Sequence, residues 1–292
     1  MQYIQKISVP AKDGAQIPAV TVGLDDDGKK AVMIICHGFG EHSGSYVELA
    51  DEMRKAGYAS IIPDQRGHGE PPEGVKNWHG LIPDYQCFVD DVISLTQYVL
   101  EKTPDAHIVL YGHSMGGNIV LNTLLQSSDS QATQAALYSC AVIESPWLGL
   151  HNPPNKIMLG LMKFLSRVLP NLRQEQKLNH GDLSGDTERS GGYSKDPLYH
   201  GFISMRMVAG ILGGCDYAMS NAARLLVPTY IAYASDELVV CNKTIREFAE
   251  KAADVVTLKE YDSKHAIHND KNRELFFNDV IAYMETVLSR GN

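Results

Sequence analysis

The sequence predicts an α/β domain with a mostly parallel central sheet, helices on both faces and an inserted helical cap. Three observations carry this reading. Short, continuously apolar runs such as Ala31-Val32-Met33-Ile34-Ile35-Cys36 read as strands buried on both faces. These runs alternate with helical segments, the order that produces parallel crossovers. The alternation breaks after Ser145 and resumes only at Thr229, so the middle of the chain reads as an insertion between two strands of one sheet.

Taken in order, residues 4–9 and 15–22 are strand-like, and Asp25-Asp26-Asp27-Gly28 is a turn. The first buried strand covers 31–36. A helix follows over about 46–55, closed by Gly57. Next come a strand at 58–62, a helix at 85–100, a strand at 107–111, a helix at 116–125 and a strand at 137–143. After the insertion the pattern predicts a strand at 229–234, a helix at 243–251, a strand at 255–261 and a closing helix at 273–288. The expected core is therefore 1–145 with 208–292, and the expected cap 146–207. There is no internal repeat and no low-complexity segment.

Composition narrows the function classes. The 292 residues are 44% apolar, enough for one large core. The net charge of −9 opposes a phosphate backbone, which argues against nucleic acid as a partner. Five cysteines, an odd number without repeated spacing, argue against a disulfide framework and a zinc site. Met1-Gln2-Tyr3-Ile4-Gln5-Lys6 carries no apolar signal region, and no run of about 18 apolar residues exists to span a bilayer. The expectation is a cytoplasmic setting.

Gly112-His113-Ser114-Met115-Gly116 matches G-x-S-x-G between a strand and a helix. A sharp turn there exposes the serine hydroxyl, flanking glycines prevent collisions, and the helix N-terminus favours a developing anion. This is the nucleophile turn of the α/β-hydrolase fold, in which an acid and then a histidine follow the serine. Ser114 alone is a weak nucleophile; it needs a base and the base needs an orienter. Asp236 stands just past the strand at 229–234, and His265 follows the last strand, so Ser114, Asp236 and His265 are the expected triad. Glu144, at the end of the preceding strand, competes for the acid's role, and His268 for the base's.

His37-Gly38-Phe39-Gly40 follows the first buried strand, where a glycine-rich turn can aim a backbone N–H at a reacting carbonyl. Phe39 and Met115 are the expected oxyanion donors. His37 and His113 read as loop-holding residues. Asp64-Gln65-Arg66-Gly67-His68-Gly69 lacks the spacing of a metal or phosphate site. Asp64 and Arg66 are expected to pin the surrounding loops, and neither cofactor nor metal is called for.

These residues, with Glu41-His42-Ser43-Gly44, Gly117 and Lys195-Asp196-Pro197-Leu198, resemble the monoacylglycerol lipase and lysophospholipase-like group of α/β-hydrolases over about residues 30–270. The resemblance implies a small-molecule acyl ester substrate of lipid type. Two departures stand out: Phe39 replaces a small residue, and Glu70-Pro71-Pro72 follows Gly69 where a serine is common. Related enzymes include feruloyl-type esterases and prolyl aminopeptidases. An aminopeptidase would need cap carboxylates, for which Glu175, Asp182, Asp186 and Glu188 are available.

Within the insertion, Pro153-Pro154 and Pro170 bracket an apolar helical segment. Its polar positions, Gly160, Lys163 and Arg167, form one narrow stripe. Leu161, Phe164 and Leu165 are the expected lining of an acyl channel, and the segment is suited to transient contact with a membrane or micelle. Residues 173–195 are polar and rich in Gly and Ser, and read as a mobile surface segment.

Overall fold

The computed structural model describes residues 3–126, 137–177 and 179–290. Its strands are β1 (Ile4–Pro10), β2 (Gln16–Val22), β3 (Ala31–Cys36), β4 (Tyr58–Pro63), β5 (Ile108–His113), β6 (Cys140–Glu144), β7 (Arg173–Glu175), β8 (Phe202–Ser204), β9 (Thr229–Ala234) and β10 (Val256–Tyr261). Eight of them form one sheet in the order β1-β2-β4-β3-β5-β6-β9-β10. β1 pairs antiparallel with β2 and β2 antiparallel with β4; every other neighbour is parallel. The described helices are α1 (Val47–Lys55), α2 (Gln86–Lys102), α3 (Met115–Gln126), α4 (Lys156–Val168), α5 (His180–Leu183), α6 (Thr187–Tyr193), α7 (Met205–Asn221), α8 (Asn242–Lys251) and α9 (Arg273–Leu288). This is the α/β-hydrolase fold.

The buried strands have two apolar faces because helices cover both sides. Val32, Ile34 and Cys36 of β3 enter the core shared with α2, α3 and α7, whereas Ala31, Met33 and Ile35 enter the core shared with α1 and α9. The strand order reverses between β3 and β5, and such a reversal opens a crevice at the carboxyl ends of the strands. The loops after β3, β5, β6, β9 and β10 all end there.

Between β6 and β9 the structure departs from the sequence reading in two ways. Residues 173–195 contain regular structure: β7 pairs antiparallel with β8, and α5 and α6 lie between them. The 17-residue helix α7 gives little sequence signal, because Gly210, Gly213 and Gly214 lower its intrinsic helix preference. Packing explains two of those glycines. A Cβ on Gly210 would lie 2.5 Å from Tyr85 Cβ, and one on Gly214 would lie 2.7 Å from both Asn118 Oδ1 and Tyr85 Oη. The glycines let Tyr85 and α3 approach the α7 backbone, and Asn122 of α3 donates to the Gly214 carbonyl at 3.1 Å.

Candidate active site

Ser114 sits between β5 and α3 with φ at 54°, the left-handed region that costs a non-glycine residue energy. The surrounding glycines make this turn physically possible. A Cβ on Gly112 would stand 2.4 Å from the Gly116 carbonyl oxygen, and one on Gly116 would stand 2.0 Å from the Cys36 carbonyl oxygen. The Ser114 main chain is held at both ends: its N–H donates to the Glu144 carbonyl at 2.9 Å, and its carbonyl accepts from Trp147 N–H at 2.9 Å. The residue is buried from bulk solvent and lines a cavity of about 1000 Å³.

His265 lines the same cavity, and its ring lies 4.8 Å from that of His113, the residue before Ser114. The carboxylate beside it is not Asp236. Glu237 Oε2 stands 2.8 Å from His265 Nδ1, and its side chain is wholly buried. Asp236 points outward with its side chain 61% exposed, 3.8 Å from Lys264 Nζ. The reason lies in the turn after β9. Glu237 Oε1 accepts the N–H groups of Val239 and Val240 at 2.8 and 3.1 Å, which folds its carboxylate inward and leaves its neighbour outside. Burial alone would lower the His265 pKa. The adjacent Glu237 charge and hydrogen bond, with Glu144 and Glu41 beyond, more than offset this, and the pKa is raised.

Phe39 follows β3 and lines the cavity, and Met115 opens α3, where first-turn N–H groups lack intrahelical partners. The loop carrying Phe39 is held from below. Glu41 Oε2 accepts Gly38 N–H at 2.6 Å and the Tyr46 hydroxyl at 2.5 Å, and Glu41 Oε1 accepts the Tyr199 hydroxyl at 2.7 Å. A Cβ on Gly38 would sit 2.7 Å from Glu41 Oε2, so only glycine fits. His37 ties this loop to the one after β4: its Nε2 accepts Gln65 N–H at 3.0 Å and its Nδ1 donates to the Gly38 carbonyl at 2.8 Å. Burial lowers its pKa to about 4, so it stays neutral. Arg66 bonds Asp13 and Asp91, and Asp64 accepts Ser43 N–H at 2.7 Å. These are the loop-pinning roles expected of them.

The two competitors, Glu144 and His268, pair with each other beneath the site. His268 Nδ1 lies 2.9 and 3.0 Å from the Glu144 oxygens, and His268 N–H donates to Oε1 at 3.0 Å. Tyr111 donates to Glu144 Oε2 as well. His113, Glu144 and His268 offer ligand-type atoms within 4.8 Å of one another. Glu144 and His268 bond each other, whereas His113 Nδ1 meets the Tyr46 hydroxyl at 2.9 Å and Glu41 Oε2 at 3.3 Å, and its buried Nε2 has no hydrogen-bond partner among the described residues. His268 does not line the cavity.

The cavity is mostly apolar and roofed by α4. Leu161 and Leu165 line it, together with Met158 and Met162. Phe164 does not. It is 60% exposed and lies with Ile157 and Val168 on a stripe facing outward, so its expected place in a channel is corrected. The helix turns Met162 and Leu165 inward, and Met158 and Leu161, each 47% exposed, line the cavity from its edge. Of the four cap carboxylates weighed above, Glu175 alone lines the cavity, and Arg173 and Lys177 line it too. Asp186 instead caps α6.

The chain is 26% identical over 266 residues to a monoacylglycerol lipase of Mycolicibacterium smegmatis, covering 90% of this chain and 91% of the relative. It is 27% identical over 259 residues to phospholipase YtpA of Bacillus subtilis, covering 87% and 95%. A soluble variant of monoglyceride lipase from Saccharomyces cerevisiae shares the fold with a TM-score of 0.81 at 23% identity, over 97% of this chain and 94% of that one. The resemblance read from the motifs is upheld. Residues 27–272 match the family described as serine aminopeptidase, S33, and the chain belongs to that family of α/β-hydrolases.

Proposed function

We propose that this ester hydrolase cleaves lipid-type monoesters, of the monoacylglycerol or lysophospholipid class, through Ser114, His265 and Glu237. The observation that carries the reading is a strained serine on the wall of a large apolar cavity, with a carboxylate-bound histidine on the same wall. With His265 Nδ1 donating to Glu237, Nε2 carries the lone pair that takes the Ser114 proton. The alkoxide attacks the ester carbonyl, and the N–H groups of Phe39 and Met115 hold the oxyanion. His265 then protonates the departing alcohol, and water releases the acyl group from Ser114 by the same steps reversed.

The substrate class rests on the cavity and on the relatives' names. The inner face of α4 offers the acyl chain an apolar wall, and residues 146–207 act as the cap. The outer stripe of Ile157, Phe164 and Val168, each 52–85% exposed, suits passing contact with a membrane or micelle. Among the described residues no helix is long and apolar enough to cross a bilayer. Five unpaired thiols support a reducing, cytoplasmic setting. The family description favours an aminopeptidase as second reading. Among the described residues Glu175 is the cap carboxylate that lines the cavity and could hold a substrate ammonium, and Arg173 and Lys177 in the same lining oppose that charge.

Chain-length dependence tests this. Each buried methylene contributes roughly 0.8 kcal/mol, so kcat/KM for monomeric 4-nitrophenyl esters is expected to rise several-fold per added carbon pair until the channel fills. Leu161→Ser and Leu165→Ser flatten that profile without harming acetyl ester turnover. Phe164→Ser leaves the profile intact and lowers only hydrolysis of vesicle-borne esters. A wild-type optimum at acetyl, or faster cleavage of aminoacyl amides than of esters, overturns the lipid reading.

A further inference from the structure

We infer that Glu144 is a positioning residue that locks the loop of the base to the turn of the nucleophile. This rests on the serine-hydrolase reading above and adds to it a residue that touches no substrate. Glu144 is the last residue of β6, in register with His113 of β5 and Ala232 of β9, and is wholly buried. Its two polar ends grip different halves of the site. The main-chain carbonyl accepts Ser114 N–H at 2.9 Å. The side chain accepts the main-chain N–H of His268 at 3.0 Å and meets its ring nitrogen at 2.9 Å.

His268 lies in the short 3-10 turn Ile267–Asn269, three residues after His265. Fixing both its backbone and its ring fixes the segment from which the base projects. The His268 ring is clamped further, stacked on Tyr46 at 4.7 Å and edge-on to His113 at 5.1 Å. From the other side, the Trp147 N–H just beyond Glu144 holds the Ser114 carbonyl. Residues 144–147 therefore set where Ser114 stands, and Glu144 sets where the base loop stands relative to it. A buried carboxylate–imidazole pair contributes little to stability compared with well-packed apolar side chains, so its place here calls for another account. Serine–imidazole alignment supplies one, because a shift of about 1 Å in a reacting pair costs roughly 100-fold in rate.

The test compares Glu144→Gln, Glu144→Ala and His268→Ala in the full chain. Three quantities are read: the rate of Ser114 labelling by a fluorophosphonate, kcat and KM for 4-nitrophenyl butyrate per folded molecule, and the thermal midpoint. Glu144→Gln keeps an oxygen for His268 N–H but puts an N–H₂ where the other oxygen meets the His268 ring and the Tyr111 hydroxyl, and lowers both labelling and kcat by about 10-fold. Glu144→Ala keeps the main-chain bond to Ser114 but removes both side-chain bonds to His268, and lowers labelling and kcat by about 100-fold. His268→Ala keeps the main-chain bond and matches Glu144→Gln, and the Gln/Ala double variant loses less than the product of the two. KM stays within about two-fold throughout, the mark of a lost transition-state alignment. Wild-type labelling and kcat per folded molecule in the Glu144 variants, or a loss confined to KM or to the folded fraction, overturns the inference alone. Failure of the wild-type chain to label at Ser114 overturns the serine-hydrolase reading with it.

Discussion

Ser114→Ala is expected to remove ester hydrolysis almost entirely, by about 10⁶-fold in kcat, and to leave the thermal midpoint unchanged. The two halves of this expectation have separate causes. The hydroxyl is the group that forms the acyl bond, and water without it meets a carbonyl held only by the Phe39 and Met115 N–H groups. The strain at φ 54° belongs to the backbone, and the Gly112, Gly116, Glu144 and Trp147 contacts that sustain it do not involve the serine hydroxyl. Alanine has the same Cβ and keeps them all. His265→Ala is expected to be as severe, and the double variant little worse than either, because a nucleophile without its base and a base without its nucleophile are equally idle. Stopped-flow hydrolysis of a 4-nitrophenyl ester and a melting curve on the same preparation check both halves. Residual turnover above about a tenth of wild type would remove Ser114 from the chemistry.

The strand frame was legible because doubly covered strands leave an unbroken apolar run. Residues 31–36 and 229–234 were read with the boundaries the structure has, and the G-x-S-x-G turn could be placed because both its flanks were already assigned. What escaped was whatever tertiary contact alone decides. α7 hides behind glycines that exist for Tyr85 and Asn118, far off in sequence. β7 and β8 have three residues each, too few for a period to show. Phe164 and Leu165 look alike in a hydrophobic stretch, and only the rotation of α4 against the core separates outside from inside. Taken singly in the sequence, Glu144 and His268 read as rivals for single roles, whereas the fold pairs them with each other. The acid was the closest miss. Asp236 and Glu237 are consecutive carboxylates, and the residue numbers alone favour the one nearer the strand. The signal lay downstream: Val239 and Val240 turn back toward the core, Val240 wholly buried, and their N–H groups need an acceptor at Glu237.

That difference carries the second large expected effect. Glu237→Gln should lower kcat by about 10⁴-fold with little change in KM, while Asp236→Asn stays within about two-fold of wild type. A carboxylate only accepts hydrogen bonds, and Glu237 uses one oxygen for His265 Nδ1 and the other for two backbone N–H groups. Glutamine cannot do both. If its amide nitrogen faces His265, the imidazole must present a lone pair at Nδ1 and carry its proton on Nε2, where it cannot accept the Ser114 proton. If the amide is turned round, its N–H₂ meets the Val239 and Val240 donors and two buried N–H groups lose their acceptor. The pH profile distinguishes this from simple loss of structure. His265 works as a base only when neutral, so activity rises as pH passes upward through its pKa, which Glu237 holds above the ordinary imidazole value despite burial. Removing the carboxylate's charge lets burial dominate, and the residual acidic limb of kcat/KM moves to lower pH. Asp236 has no such leverage: its side chain faces solvent, and its partner is a lysine 3.8 Å away. A collapse of activity in Asp236→Asn beside a mild Glu237→Gln would return the acid's role to Asp236, and an unmoved limb in Glu237→Gln would show that the buried carboxylate does not govern the base.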